Sequence, residues 1–131
     1  MKLLLDTHAW IWSQVAPQKL GKRALKAIQH PDAQIWLSSI SVWETLLLIE
    51  HGRLKVKGQP QAWVQKALHQ TGAQEAPVTH EIAVLSRQVQ LPHEDPADRF
   101  LVATALHLGL RLVTADNRIL ASKPCELLVI D

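Results

Sequence analysis

Lys2-Leu3-Leu4-Leu5-Asp6-Thr7-His8 is the stretch that decides the fold. Its apolar run is cut off by Asp6, which is too short for the core of a signal peptide and suits a first strand over Lys2 to Leu5. A helix from about Thr7 to Gln14 follows directly, so Asp6 marks the point where strand passes into helix. The same hand-over recurs along the chain. Gln34 to Leu37 is a second strand that leads through Ser38-Ser39-Ile40 into a helix from about Val42 to His51. Arg111 to Thr114 is a strand followed by a short helix from Asp116 to Leu120.

Between these units lie further helices over Lys19 to Gln29, Gln61 to Gln70 and Pro96 to Leu108, and one that runs from an N-cap at Thr79 to about Gln88. A short strand is expected over Ala76 to Val78 and a last one over Leu127 to Ile130. Gly52, Gly72 and Gly109 stand where helices stop, and Pro17, Pro31 and Pro124 break the pattern. Alternating strands and helices predict an α/β fold: a three-layer α/β/α sandwich around a central, mostly parallel, twisted sheet. Right-handed crossovers place the carboxyl ends of parallel strands on one edge. Residues far apart in sequence meet there.

Four acids fall at or near those ends: Asp6, Glu44, Asp98 and Asp116. Each has an ordinary structural explanation. Ser41-Val42-Trp43-Glu44 has the form of a capping box. Asp95-Pro96-Ala97-Asp98 reads as an N-cap, a proline at the first helical position and an acid in the first turn. Asp6 and Asp116 suit the starts of the helices after their strands. A cap is worth about 1 kcal/mol. Two carboxylates about 5 Å apart repel by roughly 3 kcal/mol at an effective dielectric of 20. Ser, Thr or Asn would cap without that penalty. Acids crowded at one edge therefore point to a bound Mg²⁺ or Mn²⁺, since hard cations take oxygen ligands. Without the ion some of these carboxyls should titrate high. An ion so held acidifies water and offsets charge on a phosphate, which is the chemistry of phosphodiester hydrolysis.

Composition narrows the alternatives. At 131 residues the chain has the size of one domain, residues 1–131, and can bury enough surface to fold without disulfides. Its single cysteine, Cys125, forms no internal disulfide, and no apolar run reaches membrane-spanning length. A cytoplasmic protein is expected. The net charge of +2 is too small for one that wraps nucleic acid indiscriminately. Lys19, Lys22, Arg23 and Lys26 recur at helical spacing and form a basic face suited to holding phosphates. Arg53, Lys55 and Lys57 make a second small basic run. Five Trp without any Tyr, together with Leu46-Leu47-Leu48-Ile49, offer more apolar surface than one sheet face needs, and part of it suits an interface.

Four segments carry a family resemblance over essentially the whole chain. They are Leu4-Leu5-Asp6-Thr7-His8, Ser38-Ser39-Ile40-Ser41-Val42-Trp43-Glu44, Asp95-Pro96-Ala97-Asp98-Arg99-Phe100-Leu101-Val102-Ala103-Thr104-Ala105, and Leu112-Val113-Thr114-Ala115-Asp116. In this order and spacing they resemble the PIN-domain ribonucleases, and most closely the VapC-type toxins of bacterial toxin–antitoxin pairs. The resemblance implies a Mg²⁺- or Mn²⁺-dependent endoribonuclease that cuts single-stranded regions of structured RNA and leaves a 5′-phosphate and a 3′-hydroxyl. It casts Asp6 and Asp98 as the firmest metal ligands, Asp116 as an outer or second-metal acid, and Glu44 as a ligand or water-positioning group. Asp95 is expected to cap its helix first and to serve the site second. Thr7, Ser39 and Thr114 are expected to hydrogen-bond the acids or the substrate. The resemblance also implies a homodimer, and a cognate antitoxin whose arginine competes with metal at the acids.

Other classes fit less well. A haloacid-dehalogenase-type phosphatase wants a second Asp two residues after the first, where this chain has His8. A receiver domain wants a paired acid and a late lysine that are absent. Seven histidines suggest a zinc hydrolase, but no HExxH occurs, and only His8 and His93 fall near the proposed site. A catalytically silent PIN-like module that only binds RNA or protein would be betrayed by a lost acid, and all four are present.

Overall fold

The structure is a computed structural model that describes residues 1–130; Asp131, the end of the expected single domain, lies outside the described residues. Among the described residues five strands form one sheet in the order β3-β2-β1-β4-β5, and every neighbouring pair is parallel. The strands are β1 (Lys2–Leu5), β2 (Gln34–Ser38), β3 (Gln74–Ala76), β4 (Arg111–Thr114) and β5 (Leu127–Val129). The helices are α1 (Thr7–Val15), α2 (Gly21–Gln29), α3 (Ser39–Glu50), α4 (Pro60–Thr71), α5 (His80–Ser86), α6 (Pro96–Leu108) and α7 (Asn117–Ser122). The expected α/β/α sandwich is the fold observed.

The alternation of strand side chains divides the core into two layers. Leu3, Leu5, Leu37, Val113 and Leu128 pack on one face with Ala9 and Trp10 of α1, Ala24 of α2, and Val64 and Ala67 of α4. Leu4 and Leu112 pack on the other with Ile82 of α5, Leu101, Val102 and Ala105 of α6, and Ile119 of α7. Trp10 is fully buried, and its indole N–H donates to Thr71 Oγ1 at 2.8 Å, so the large ring leaves no orphaned donor. Trp43 lies at the opposite extreme, 53% exposed. No helix among the described residues is long and apolar enough to cross a membrane.

The strand order has a reversal at β1. From there the chain moves to β2 and β3 on one side and to β4 and β5 on the other. Adjacent crossovers therefore leave in opposite directions and open a crevice beyond the carboxyl ends of β1 and β4. The backbone N–H of Asp6 donates to the Val113 carbonyl at 3.1 Å, which holds the two strand ends together at that crevice.

Several boundaries differ from the sequence expectation. The basic helix does not begin at Lys19, because Pro17–Leu20 is a separate 3₁₀ turn ended by Gly21 at φ 73. Lys19 therefore leaves the face shared by Lys22, Arg23 and Lys26. α3 begins at Ser39 rather than Val42, with Ser38 as its N-cap accepting from the Ile40 N–H at 3.1 Å. β3 is Gln74–Ala76 rather than Ala76 to Val78, since Pro77 lacks the N–H that would extend the ladder. α5 stops at Ser86 instead of Gln88, where Arg99 draws on the Ser86 carbonyl.

Candidate active site

The crevice at the reversal is an open cleft of about 380 Å³ lined by Asp6, Glu44, Asp95, Asp98 and Asp116, with Thr7, His8, Trp12 and Arg118 among its other walls. All five candidate acids thus reach one cavity. The fold brings them there from four places: the start of α1, the middle of α3, the start of α6 and the start of α7.

Three of the acids are true helix caps. Asp6 Oδ1 accepts from the Ala9 N–H at 2.7 Å. Asp95 Oδ1 accepts from Ala97 and Asp98 N–H at 3.0 and 3.3 Å. Asp116 Oδ1 accepts from Arg118 and Ile119 N–H at 2.8 and 3.2 Å. Each cap uses one carboxylate oxygen and leaves the other for a different partner. The structural and functional readings of these residues are therefore compatible.

Glu44 is different. The capping box expected for Ser41 and Glu44 does not form, because the helix starts earlier and both residues lie inside it. Ser41 is buried and accepts from the Thr7 hydroxyl at 3.0 Å, tying α1 to α3. Glu44 has no capping duty and lines the cleft. Ser39, expected near the acids, instead accepts from the Val78 N–H at 3.3 Å and pins the segment after β3. Thr114 Oγ1 accepts from the Asp116 N–H at 3.0 Å, shaping the turn that presents Asp116.

Electrostatics separate the acids. Burial pushes the Asp6 carboxyl up to about 6, against the lowering effects of the nearby Thr114 hydroxyl, the Ala9 N–H and His8. Burial also raises Asp98, and the charges of Asp95 and Asp116 add to this, while His93 opposes it. Burial acts to raise Asp116 too, but the Arg118 side chain and two backbone N–H groups outweigh it, so its carboxyl sits below the usual value.

Three residues complete the site that the acidic pattern alone did not single out. His93 Nε2 lies 2.8 Å from Asp98 Oδ2, and both side chains are largely covered. His93 Nδ1 is buried without a partner, which favours the tautomer whose Nε2–H donates to Asp98. Arg99 is buried and donates to four backbone carbonyls: Ser86 at 2.9 Å, Val89 and Leu91 at 3.2 Å, and His93 at 3.3 Å. It holds the loop that carries His93 to Asp98. Arg118 places Nη2 at 3.4 Å from Asp98 Oδ2 and 3.3 Å from Asp116 Oδ2.

The four expected metal ligands therefore share a cleft without forming a closed cage. Among the described residues no three His, Cys, Asp or Glu side chains are gathered so as to hold an ion as they stand. Arg118 takes up part of the charge of Asp98 and Asp116. The donors nevertheless fit Mg²⁺ or Mn²⁺ in kind. They are carboxylate oxygens around a concave cleft, three on helix starts and that of Glu44 within α3, and one of them, Asp6, is buried against its charge.

The basic residues divide. Lys19 sits over the Trp12 ring at 5.9 Å, beside the cleft that Trp12 lines. Lys22 and Lys26 line a separate shallow depression with Leu25 and His30.

The family model of the PIN domain matches residues 3–123. The chain belongs to the PIN-domain family. Among PIN-domain relatives, Ribonuclease VapC22 of Mycobacterium tuberculosis is 34% identical over 120 residues, which is 89% of this chain and 88% of that protein. Two solved structures share the PIN fold at low identity. VapBC2 from Rickettsia felis, bound to a DNA fragment from its promoter, matches with a TM-score of 0.74 at 17% identity over 100% of both chains. VapBC-1 from nontypeable Haemophilus influenzae matches with a TM-score of 0.69 at 14% identity over 98% of both chains.

Proposed function

We propose that this PIN domain is an endoribonuclease, the toxin of a toxin–antitoxin pair, and that it uses Mg²⁺ or Mn²⁺ held by Asp6, Asp98, Asp116 and Glu44. The observation that carries the reading is the convergence of these acids on one cleft at the topological reversal of the sheet. The 34% identity to a ribonuclease over most of the chain supports RNA as the substrate class. When bound, a divalent ion makes water more acidic and offsets charge building on a phosphate.

The protein's own residues do the rest. The helix starts behind Asp6, Asp95 and Asp116 fix those carboxylates through backbone N–H groups, so little ordering remains when substrate arrives. Asp6 gives up its proton readily above about pH 6 and then presents a charge that burial has left undercompensated. His93, held by Arg99 through the loop, orients Asp98. Asp95 acts chiefly as the cap of α6 and adds negative charge beside Asp98. Exposed Trp43, Val84 and Leu106 are large apolar side chains suited to a second copy of the chain or an antitoxin.

The test is cleavage of an unstructured RNA in Mn²⁺, with EDTA as control. Activity should vanish in EDTA and in Asp6→Asn. Equal cutting by Asp6→Asn would overturn the assignment. A small partner protein encoded beside this one should co-purify with it and silence the cleavage.

A further inference from the structure

The cleft already contains one permanent cation, and it belongs to the chain. Among the described residues Arg118 is the only Lys or Arg that lines the cavity. Its side chain is 54% exposed, and a single nitrogen, Nη2, is shared between Asp98 and Asp116 at 3.4 and 3.3 Å. These are long contacts to one nitrogen, not the two-pronged fork of a strong arginine–carboxylate pair. Arg99 makes the contrast plain. It is buried and donates to four backbone carbonyls. One arginine is built into the fold, and the other rests loosely on two acids with open solvent beside it.

The atoms it touches matter. Asp116 Oδ1 is occupied by the cap of α7, so Oδ2 is the oxygen left for the cleft, and that oxygen faces Arg118. Asp98 Oδ2 is shared between His93 and Arg118. The guanidinium thus sits on oxygens that a divalent ion entering among the acids would need. Such an ion and Arg118 cannot hold both oxygens at once. An acidic cleft also repels a phosphodiester unless cations face it.

Resting on the function proposed above, we propose that Arg118 is a built-in competitor for the divalent ion: the ion displaces it from Asp98 and Asp116, and the freed guanidinium then contacts a phosphate of the RNA. The planar guanidinium suits phosphate well, and the half-exposed side chain has room to turn outward.

The experiment compares the wild type with Arg118→Ala, Arg118→Lys and Asp6→Asn. Mn²⁺ alone is titrated by calorimetry at pH 7.5. Steady-state cleavage of an unstructured oligoribonucleotide is then measured at saturating Mn²⁺. Arg118→Ala should bind Mn²⁺ roughly three- to tenfold more tightly, the worth of one or two half-exposed ion pairs. It should also raise KM about tenfold while kcat changes little, as expected for a lost phosphate contact. Arg118→Lys should restore part of both effects. Thermal unfolding in EDTA establishes that each variant is folded. A merely structural arginine would lower the melting temperature of Arg118→Ala without tightening Mn²⁺. Unchanged or weaker Mn²⁺ binding, or an unchanged KM, overturns the inference. Wild-type protein that binds no Mn²⁺, or binds it as Asp6→Asn does, removes the reading of the site and this inference with it.

Discussion

Replacing Asp6 by Asn should make the metal-free protein more stable at neutral pH while removing its activity. The carboxyl of Asp6 is raised by burial from 3.8 to about 6. The folded state therefore prefers the protonated form. Its favourable contribution is fully present below the unfolded value of 3.8 and is lost as pH rises through about 6. Above that, the ionised group works against the fold. The rise corresponds to about 3 kcal/mol at full burial, and contact with solvent in the cleft reduces it to about 2 kcal/mol. Asn is close to Asp in shape and caps a helix as well, so the bond from the Ala9 N–H survives. At about 4 °C per kcal/mol for a domain of this size, the melting temperature should rise by about 6–8 °C. The assay is thermal unfolding in EDTA at pH 7.5 and again at pH 4. The gain should appear at the higher pH and shrink to about 2 °C at the lower, where the folded-state carboxyl is neutral and the unfolded one is about half ionised. An unchanged melting temperature at pH 7.5, or an equal gain at pH 4, would refute the argument that burial strains this carboxylate.

Other consequences can be measured directly. Arg99→Ala should cost about 3 kcal/mol in urea unfolding, because it strips a buried charge from four carbonyls, and Arg99→Lys should rescue little; a loss under about 1 kcal/mol would contradict the clamp. His93→Ala should weaken Mn²⁺ binding about tenfold and move its pH dependence upward, since His93 opposes the raised titration of Asp98, with His93→Gln intermediate. Lys19→Ala should lower the salt dependence of RNA binding in EDTA by roughly 0.7, one phosphate contact, whereas replacing Lys22 and Lys26 should leave the slope unchanged.

The sequence alone determined the class of fold and the identity of the acids. Strands and helices that alternate at short spacing leave few arrangements, and Leu3-Leu4-Leu5 stopped by Asp6 announces the first of them. Asp6, Asp95, Asp98 and Asp116 were legible because they flank strand ends or helix starts, Glu44 was legible only through its motif since it lies inside α3, and all five line one cleft. Boundaries were less legible where a local signal had two solutions. Ser38 and Ser41 both suit a cap; the structure uses Ser38, which accepts from the Ile40 N–H, while Ser41 lies inside α3 and accepts from the Thr7 hydroxyl. Lys19 has the spacing of a helical face, yet the left-handed Gly21 cuts it off.

Only the tertiary structure decided what stands between the acids. Nothing in the order of residues distinguishes Arg99, locked onto backbone carbonyls, from Arg118, resting on Asp98 and Asp116. Nor does it reveal that His93 reaches Asp98 or that Asp6 is buried against its charge. Local rules place a side chain on an element. Its partners and its access to water depend on segments that approach from elsewhere in the chain, and those distances exist only once the layers have packed.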